Sequence, residues 1–317
     1  MDAVRSASRA CRAVQERLVR AHTLEKTDKS PVTVADFAAQ AIVCARLERA
    51  RPADPIVGEE DSAALREAGR EELLARVIEH VAAEEGGSAA DEARVLAWID
   101  RGGGEARGAR YWTLDPIDGT KGFLRGEQYA VALALIEGGE VVLGVLGCPS
   151  LPHPGGRGAL FTAVRGARTR ELPLFEAGAT GREVAVAPIA SPAEARFCES
   201  VEPDHSDQEE SAAIARRLGI RREPYRIDSQ CKYAAVARND ASIYLRLPTR
   251  EDYREKIWDH AAGKLVVECA GGVVTDVAGR PLDFARGRCL EANRGIVATS
   301  GRIHGAVLEA IRTVRGG

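Results

Sequence analysis

The residues in this chain best suited to chemistry are acids placed where apolar runs end. Asp115 and Asp118 stand in Trp112-Thr113-Leu114-Asp115-Pro116-Ile117-Asp118-Gly119-Thr120-Lys121-Gly122-Phe123. The apolar approach reads as a short buried strand, and Pro116 followed by Gly119 turns the chain at once. Pro116 has no N–H and Gly119 tolerates backbone angles that other residues resist, which leaves the Ile117 carbonyl able to face the same ion as the two carboxylates. An isolated D-x-x-D-G is more often a capped turn than a cation site. Here it has company. Gly58-Glu59-Glu60-Asp61 follows the apolar pair Ile56-Val57, and Asp36 sits near the start of a helical pattern, where capping is an equally good reading. Asp259, in Trp258-Asp259-His260-Ala261-Ala262-Gly263, falls in the first turn of another helix, where the macrodipole favours a carboxylate by about 0.3–1 kcal/mol. Acids at element ends, with no His or Cys required, suit hard, oxygen-ligated cations such as Mg²⁺. Spacing alone leaves their convergence open.

The elements that must position these acids are legible in outline. Val4, Ala7, Cys11, Val14 and Leu18 recur at helical spacing, and a second helical pattern runs through Phe37, Ala41 and Cys44 after the turn chemistry of Thr27 to Pro31. Residues 62 to 83 read as one helix ended by Gly86-Gly87, and a short helix ends near Trp98. The glycine-rich, charged stretch Arg101 to Gly108 reads as a mobile surface loop, and it lacks the Lys and Ser/Thr of a phosphate loop. Val131 to Ile136 and Val141 to Leu146 flank Glu137-Gly138-Gly139-Glu140, a hairpin signal. Beyond a boundary near residue 180, short strands (Val184 to Ala187, Ile243 to Leu247, Val273 to Asp276, Gly295 to Thr299) alternate with helices near 206 to 218, 259 to 270 and 302 to 314. That alternation suggests an α/β layer, with 1–180 and 181–317 as two domains.

Composition bounds the function. With 317 residues and 45% hydrophobic content the chain can build a sizeable core. A formal charge of −3 argues against wrapping a nucleic-acid polymer or an anionic membrane, while leaving room for a small-anion pocket. Cys11, Cys44, Cys148, Cys198, Cys231, Cys269 and Cys289 are scattered singly, which fits neither a zinc site nor a disulfide-stapled fold, so they read as reduced and mostly buried. No apolar run of about 18 residues and no apolar signal core is present, so neither a membrane span nor secretion is expected and the cytoplasm is the default compartment.

The ordered motifs G-E-E, D-P-I-D-G-T-K-G-F, W-D-H-A-A-G, G-G-V-V-T-D and P-L-D-F resemble the lithium-sensitive, magnesium-dependent phosphatase superfamily of inositol monophosphatase. Pro31 to Asp36, Lys121 to Tyr129, Asp228 to Tyr233 and Tyr244 to Pro248 look like its 3′(2′),5′-bisphosphate nucleotidase branch. The resemblance runs from about residue 4 to about residue 312. It implies an α/β (α+β) chain in the layered α/β/α/β/α sugar-phosphatase fold, with the metal cluster where the domains meet. It also implies Glu59, Asp115, the Ile117 carbonyl, Asp118 and Asp259 as ligands of Mg²⁺, in two or three ions. Thr120 and Asp36 match the pair that orients and deprotonates the attacking water, consistent with a threonine being a poor base that needs a carboxylate to take its proton.

The branch's nucleotide contacts carry over to Thr120, His205, Ser229, Lys232, Arg246 and Asp259. Lys232 and Arg246 would hold the phosphate that is not cleaved, one as a point charge and the other as a bidentate fork. Around His205 the sequence Asp204-His205-Ser206-Asp207-Gln208 departs from the branch's Gly-His-Ser-Ser-His pattern. The expected activity is Mg²⁺-dependent removal of the 3′-phosphate of adenosine 3′,5′-bisphosphate, and of its sulfated analogue, by a monomer acting on small molecules. The alternatives are an inositol-phosphate phosphatase and a catalytically silent nucleotide sensor. The sensor ranks last because every acid of the set is intact.

Overall fold

The computed structural model describes all residues except 22–29, 202–207, 249, 251 and 317, and the side chains of all of these except 18–21, 30–32, 88 and 208. Two helices, α1 (Asp2–Ala21) and α2 (Ser30–Ala50), lead into the short strand β1 (Ile56–Gly58), then α3 (Glu71–Glu85) and α4 (Glu92–Asp100). Next come β2 (Arg110–Asp118), the one-turn α5 (Thr120–Leu124), β3 (Ala130–Glu137), β4 (Glu140–His153), β5 (Gly156–Val164), β6 (Arg170–Pro173) and β7 (Arg182–Glu183). The chain continues through β8 (Phe197–Glu199), α6 (Gln208–Arg217), β9 (Tyr225–Arg226), α7 (Cys231–Ala237), β10 (Ile243–Arg246), α8 (Ala261–Cys269), β11 (Val273–Thr275), β12 (Ile296–Thr299) and α9 (His304–Gly316).

Strands β1 to β7 form one sheet in sequence order, parallel between β1 and β2 and antiparallel thereafter. A second sheet has the order β11-β12-β10-β8-β9. Period-two alternation decides what each face of the first sheet meets. Along β3, Val131, Leu133 and Leu135 join the core beneath α1 and α2, while Ala130, Ala132 and Ala134 face the core shared with α7 and α8. The small side chains on the second face let α8 lie against β3, β4 and β5. Helices α7 and α8 in turn pack on the second sheet, whose far face meets α6 and α9 around Val297, Ile303, Val307 and Ile311. The layers are therefore α/β/α/β/α. Cysteines are free, with Cys11, Cys44, Cys148, Cys198 and Cys231 buried and Cys269 and Cys289 half-buried. Among the described residues no helix is long and apolar enough to cross a membrane.

Several local expectations change. The second helix starts at Ser30, because Pro31 in a first turn gives up an N–H that would have no helical partner anyway. Asp36 consequently lies inside α2, buried, and caps nothing. Asp259 precedes α8, with His260 as the N-cap, so it is not in a first helical turn. The single helix expected over 62 to 83 is a 3₁₀ turn at Ala63–Arg66 and then α3, interrupted by Gly69 at φ +84°. The strand expected at 184 to 187 ends at Glu183 and belongs to the first sheet. The glycine-rich stretch after Arg101 is no free loop. Gly58 N–H donates to Gly102 O (2.7 Å) and Gly104 N–H to Ile56 O (2.8 Å), so this stretch lines the edge of β1 at a distance side chains would prevent.

Candidate active site

Parallel pairing of β1 with β2 brings their carboxyl ends to the same edge, with Gly58 opposite Leu114. Glu59 is thereby delivered beside Asp115. The β2–β3 register then slips between Asp115 and Asp118, where Pro116 has no N–H to give to the ladder. This slip turns Ile117 and Asp118 toward the end of the sheet. Gly119 follows in the left-handed region (φ +95°), and α5 begins at Thr120.

The second half closes on this edge through residues 228 to 230. Gln230 N–H donates to Asp118 Oδ2 (2.6 Å), its Nε2 donates to Trp258 O (2.9 Å), and its Oε1 accepts Gly263 N–H (3.1 Å). One buried glutamine thus fixes Asp118 and the peptide before Asp259 relative to one another. Ser229 beside it adopts φ +66°, unusual for a residue with a side chain. Asp228 pairs with Arg125 and accepts Val201 N–H (3.0 Å), which ties in the segment after α5.

The result is one cleft of about 370 Å³ lined by Glu59, Asp115, Ile117, Asp118, Thr120, Ser229, Lys232, Arg246 and Asp259. Nearly every residue singled out in the sequence converges there. Asp36 does not line the cleft, but its charge is felt by Asp115, and those of Glu59 and Glu60 are felt by Asp36. His205 lies outside the described residues. The sequence reading missed Gln40, Gln230, Glu255 and His260. Gln230 and His260 stand inside quoted motifs, but an uncharged amide and a lone histidine carry no signal of their own.

The acids share one electrostatic condition. Burial, then the charges of Asp259, Glu60 and Asp118, raises Glu59 from its ordinary 4.5 to about 7, although its side chain is open to solvent along the cleft. Burial also raises Asp259 to about 6, with the charge of Asp118 adding to it and those of His260 and Arg246 opposing it. Asp115 is pushed well above the carboxylate range by burial and then by Glu59, Asp118 and Asp259. Burial raises Asp118 less, because Lys232, the Gln230 N–H and Arg246 offset it. A bound cation is what relieves such repulsion. The donor set fits one: all-oxygen, converging on one cleft, and with Asp115 Oδ1 buried without a hydrogen-bond partner among the described residues.

A second cluster, Glu255, Asp259 and His260, brings one ligand-type atom from each within 4.8 Å. Its charge is already answered from within the protein. Glu255 Oε2 takes Arg246 Nε at 2.8 Å and His260 Nε2 at 3.2 Å, while His260 Nδ1 meets Tyr233 OH at 2.8 Å. This cluster anchors Arg246, whose other arm stands 4.0 Å from Asp259. Lys232, buried, donates to Ser200 Oγ (3.1 Å) and lies over the Tyr244 ring.

Comparison with known proteins gives the family and the fold. The sequence model of the inositol monophosphatase family matches residues 2–315. A 3′(2′),5′-bisphosphate nucleotidase 1 of Arabidopsis thaliana is 47% identical, over 96% of this chain and 92% of that protein. A 3′(2′),5′-bisphosphate nucleotidase of Schizosaccharomyces pombe is 46% identical, over 98% of this chain and 93% of its own length. Among solved structures, the extragenic suppressor protein suhB from Bartonella henselae superimposes with a TM-score of 0.62 at 21% identity, covering 98% of this chain and 96% of that one. An inositol monophosphatase from Zymomonas mobilis gives 0.60 at 22% identity, covering 98% and 97%. With that family's pattern running through nearly the whole sequence and its fold beneath it, the chain belongs to the inositol monophosphatase family.

Proposed function

We propose that this protein is a Mg²⁺-dependent phosphomonoesterase that removes the 3′-phosphate of adenosine 3′,5′-bisphosphate, giving AMP and inorganic phosphate, and also takes 3′-phosphoadenylyl sulfate. The observation that carries this reading is a single cleft lined by two charged groups, the acids and the pair Lys232 and Arg246, which approach each other where Arg246 stands 4.0 Å from Asp259. A substrate with two phosphates answers both groups, one phosphate at the acids with their metal and one at the cations. An inositol monophosphate carries no second phosphate for Lys232 and Arg246. The names of the relatives at 40–47% identity support the same choice.

Glu59, Asp115, Asp118 and Asp259, with the Ile117 carbonyl, would hold two or three Mg²⁺ ions. When bound, the metal supplies positive charge against the phosphate oxygens and makes water more acidic, which a monoester needs because its uncatalysed hydrolysis is among the slowest known. The remaining work falls to side chains. Thr120 opens α5, which packs against the helix carrying Asp36. The Thr120 hydroxyl orients the attacking water, and Asp36, whose pKa burial raises, accepts the proton. Lys232 and Arg246 grip the uncleaved 5′-phosphate, and Ser229 and His205 contact the nucleotide. The cleft then lies between an N-terminal unit, 1–180, and a C-terminal unit, 181–317, of a monomer.

A phosphate-release panel tests the reading. It compares adenosine 3′,5′-bisphosphate, its sulfated form, AMP, inositol 1-phosphate and inositol 1,4-bisphosphate, each with and without Mg²⁺. Release from the 3′-phosphonucleotides only with Mg²⁺ is expected, and preference for inositol 1-phosphate would overturn the assignment.

A further inference from the structure

We infer that Gln40 is a positioning residue for the metal centre, its side-chain amide setting where Glu59 sits relative to Asp36. Gln40 follows Asp36 by one turn of α2, so both point from the same face of one rigid element. It is fully buried, and all of its amide is used. Nε2 donates to Glu60 O (2.5 Å) and to Ile99 O (2.8 Å) at the end of α4, while Oε1 accepts Glu60 N–H (3.1 Å). Both polar groups of the Glu60 main chain are therefore clamped. On the other side of Glu59, Gly58 N–H donates to Gly102 O (2.7 Å) and Gly58 O accepts from Arg288 (2.6 Å). Glu59 is held between two pinned residues, and Gln40 is the pin that reaches α2.

The chemistry of the site explains why this pin is an amide. Glu59, Glu60 and Asp61 follow one another beside buried Asp36, so the segment tends to splay by like-charge repulsion. A lysine or arginine at position 40 would hold it only by neutralising acids meant for a cation. A carboxylate would add to the repulsion and press an acceptor against two carbonyls. Glutamine supplies two donors and an acceptor with no charge. The surroundings are cut to fit. A Cβ at Gly58 would stand 2.5 Å from Gln40 Oε1, and one at Gly102 would collide with Nε2, although neither glycine has a positive φ that would itself demand glycine.

The inference rests on the reading of Glu59 as a metal ligand, and the experiment separates the two. Mg²⁺ is titrated calorimetrically into the full-length protein as wild type, Glu59→Gln, Gln40→Ala, Gly102→Ala and the Gln40→Ala/Gly102→Ala double variant, with melting temperatures in parallel. Loss of a group that orients a ligand is expected to weaken Mg²⁺ about 10–100-fold in Gln40→Ala. At saturating Mg²⁺, KM for the phosphate ester should stay near the wild-type value. Gly102→Ala should weaken Mg²⁺ because its methyl displaces the amide, and adding it to Gln40→Ala should cost little more. A Gln40→Ala protein that melts earlier yet binds Mg²⁺ like wild type, while Glu59→Gln does not, would overturn the inference and leave Gln40 a structural residue. Multiplying losses in the double variant would overturn it too. Unchanged affinity in Glu59→Gln would instead remove the ligand reading itself. If Gln40→Ala does not fold, Gly58→Ala and Gly102→Ala carry the test, and wild-type affinity in both counts against the amide.

Discussion

The two charged groups that line the cleft, an acidic end of Glu59, Asp115, Asp118 and Asp259 and a cationic end of Lys232 and Arg246, are finished to different degrees. At the cationic end each charge already has a partner: Arg246 on Glu255 at 2.8 Å, Glu255 on His260 at 3.2 Å, and Lys232 on Ser200 at 3.1 Å. At the acidic end Glu59, Asp115, Asp118 and Asp259 are all raised above their ordinary range, and Asp115 Oδ1 has no hydrogen-bond partner among the described residues. On the proposed reading, the protein has preorganised the groups that would receive an anion and left incomplete the acids that would receive cations. Preorganised donors need no rearrangement when the ligand arrives, whereas like-charged acids gain most from a ligand they lack.

Removing charge from the acidic end should do the most damage. In Asp118→Asn the amide oxygen can still accept the Gln230 N–H, so the fold is kept and the loss reports on charge alone. We expect kcat/KM on adenosine 3′,5′-bisphosphate to fall more than about a hundredfold at any Mg²⁺ concentration, an effect that chelation reproduces in the wild type. Most of the turnover surviving in Asp118→Asn would mean the acids are not a metal site. Next come Thr120→Ala and Asp36→Asn, each expected to lower kcat by about 10²–10⁴ if the two move one proton between them. The double variant should be scarcely worse than the poorer single, and losses that multiply would separate the pair.

The cationic end should respond more mildly and more selectively. Losing a charge-assisted contact of about 1.5–3 kcal/mol lowers kcat/KM roughly ten- to a hundredfold on a bisphosphate. Arg246 is the weaker choice for this test, because it also neutralises Glu255 and stands 4.0 Å from Asp259, so its loss would disturb the acidic end as well. Lys232→Ala leaves the Glu255 ion pair intact, since its contacts are a serine hydroxyl and a tyrosine ring, and the Asp118 charge it also offsets is controlled by the second substrate. It should be impaired on adenosine 3′,5′-bisphosphate and nearly unchanged on 3′-AMP. Equal losses on both substrates would place Lys232 in the chemistry of the acids, by way of Asp118, rather than in phosphate binding.

What could be read in advance follows the same division. The strand ends carrying Glu59, Asp115 and Asp118 were legible because Pro and Gly punctuate them, and the β3–β4 hairpin because its two runs flank Gly138-Gly139. Helix α7 was not, since Cys231 to Ala237 are all buried and an all-round apolar segment has no helical period. Strand β5 was hidden among the glycines and prolines of 149 to 158, two of which, Pro149 and Pro152, lie within β4 itself. Asp36 was misplaced because the turn-forming Ser30-Pro31 also opens a helix well. Gln40 and Gln230 bind groups distant in sequence, and an amide that clamps main chain leaves no pattern along its own element.

The smallest effect expected is on stability, and it bears directly on the contrast between the ends. In the metal-free protein Glu59 holds its proton up to about 7 and Asp259 up to about 6, against ordinary values of 4.5 and 3.8. Between those values the folded protein binds protons that the unfolded chain has released, so the contribution of these acids to stability falls as pH rises from about 4 to 7. Metal-stripped protein should therefore lose melting temperature over that window. On the proposed reading Mg²⁺ would bind only the deprotonated folded site, so it should restore a few degrees at pH 7.5 and much less at pH 5, where protons compete for the same oxygens. Other groups titrate in this range, so the diagnostic quantity is the difference from Glu59→Gln, which lacks the step near pH 7. Should wild type and Glu59→Gln show the same pH slope without metal and the same Mg²⁺ shift at both pH values, the acidic end would be no less complete than the cationic one.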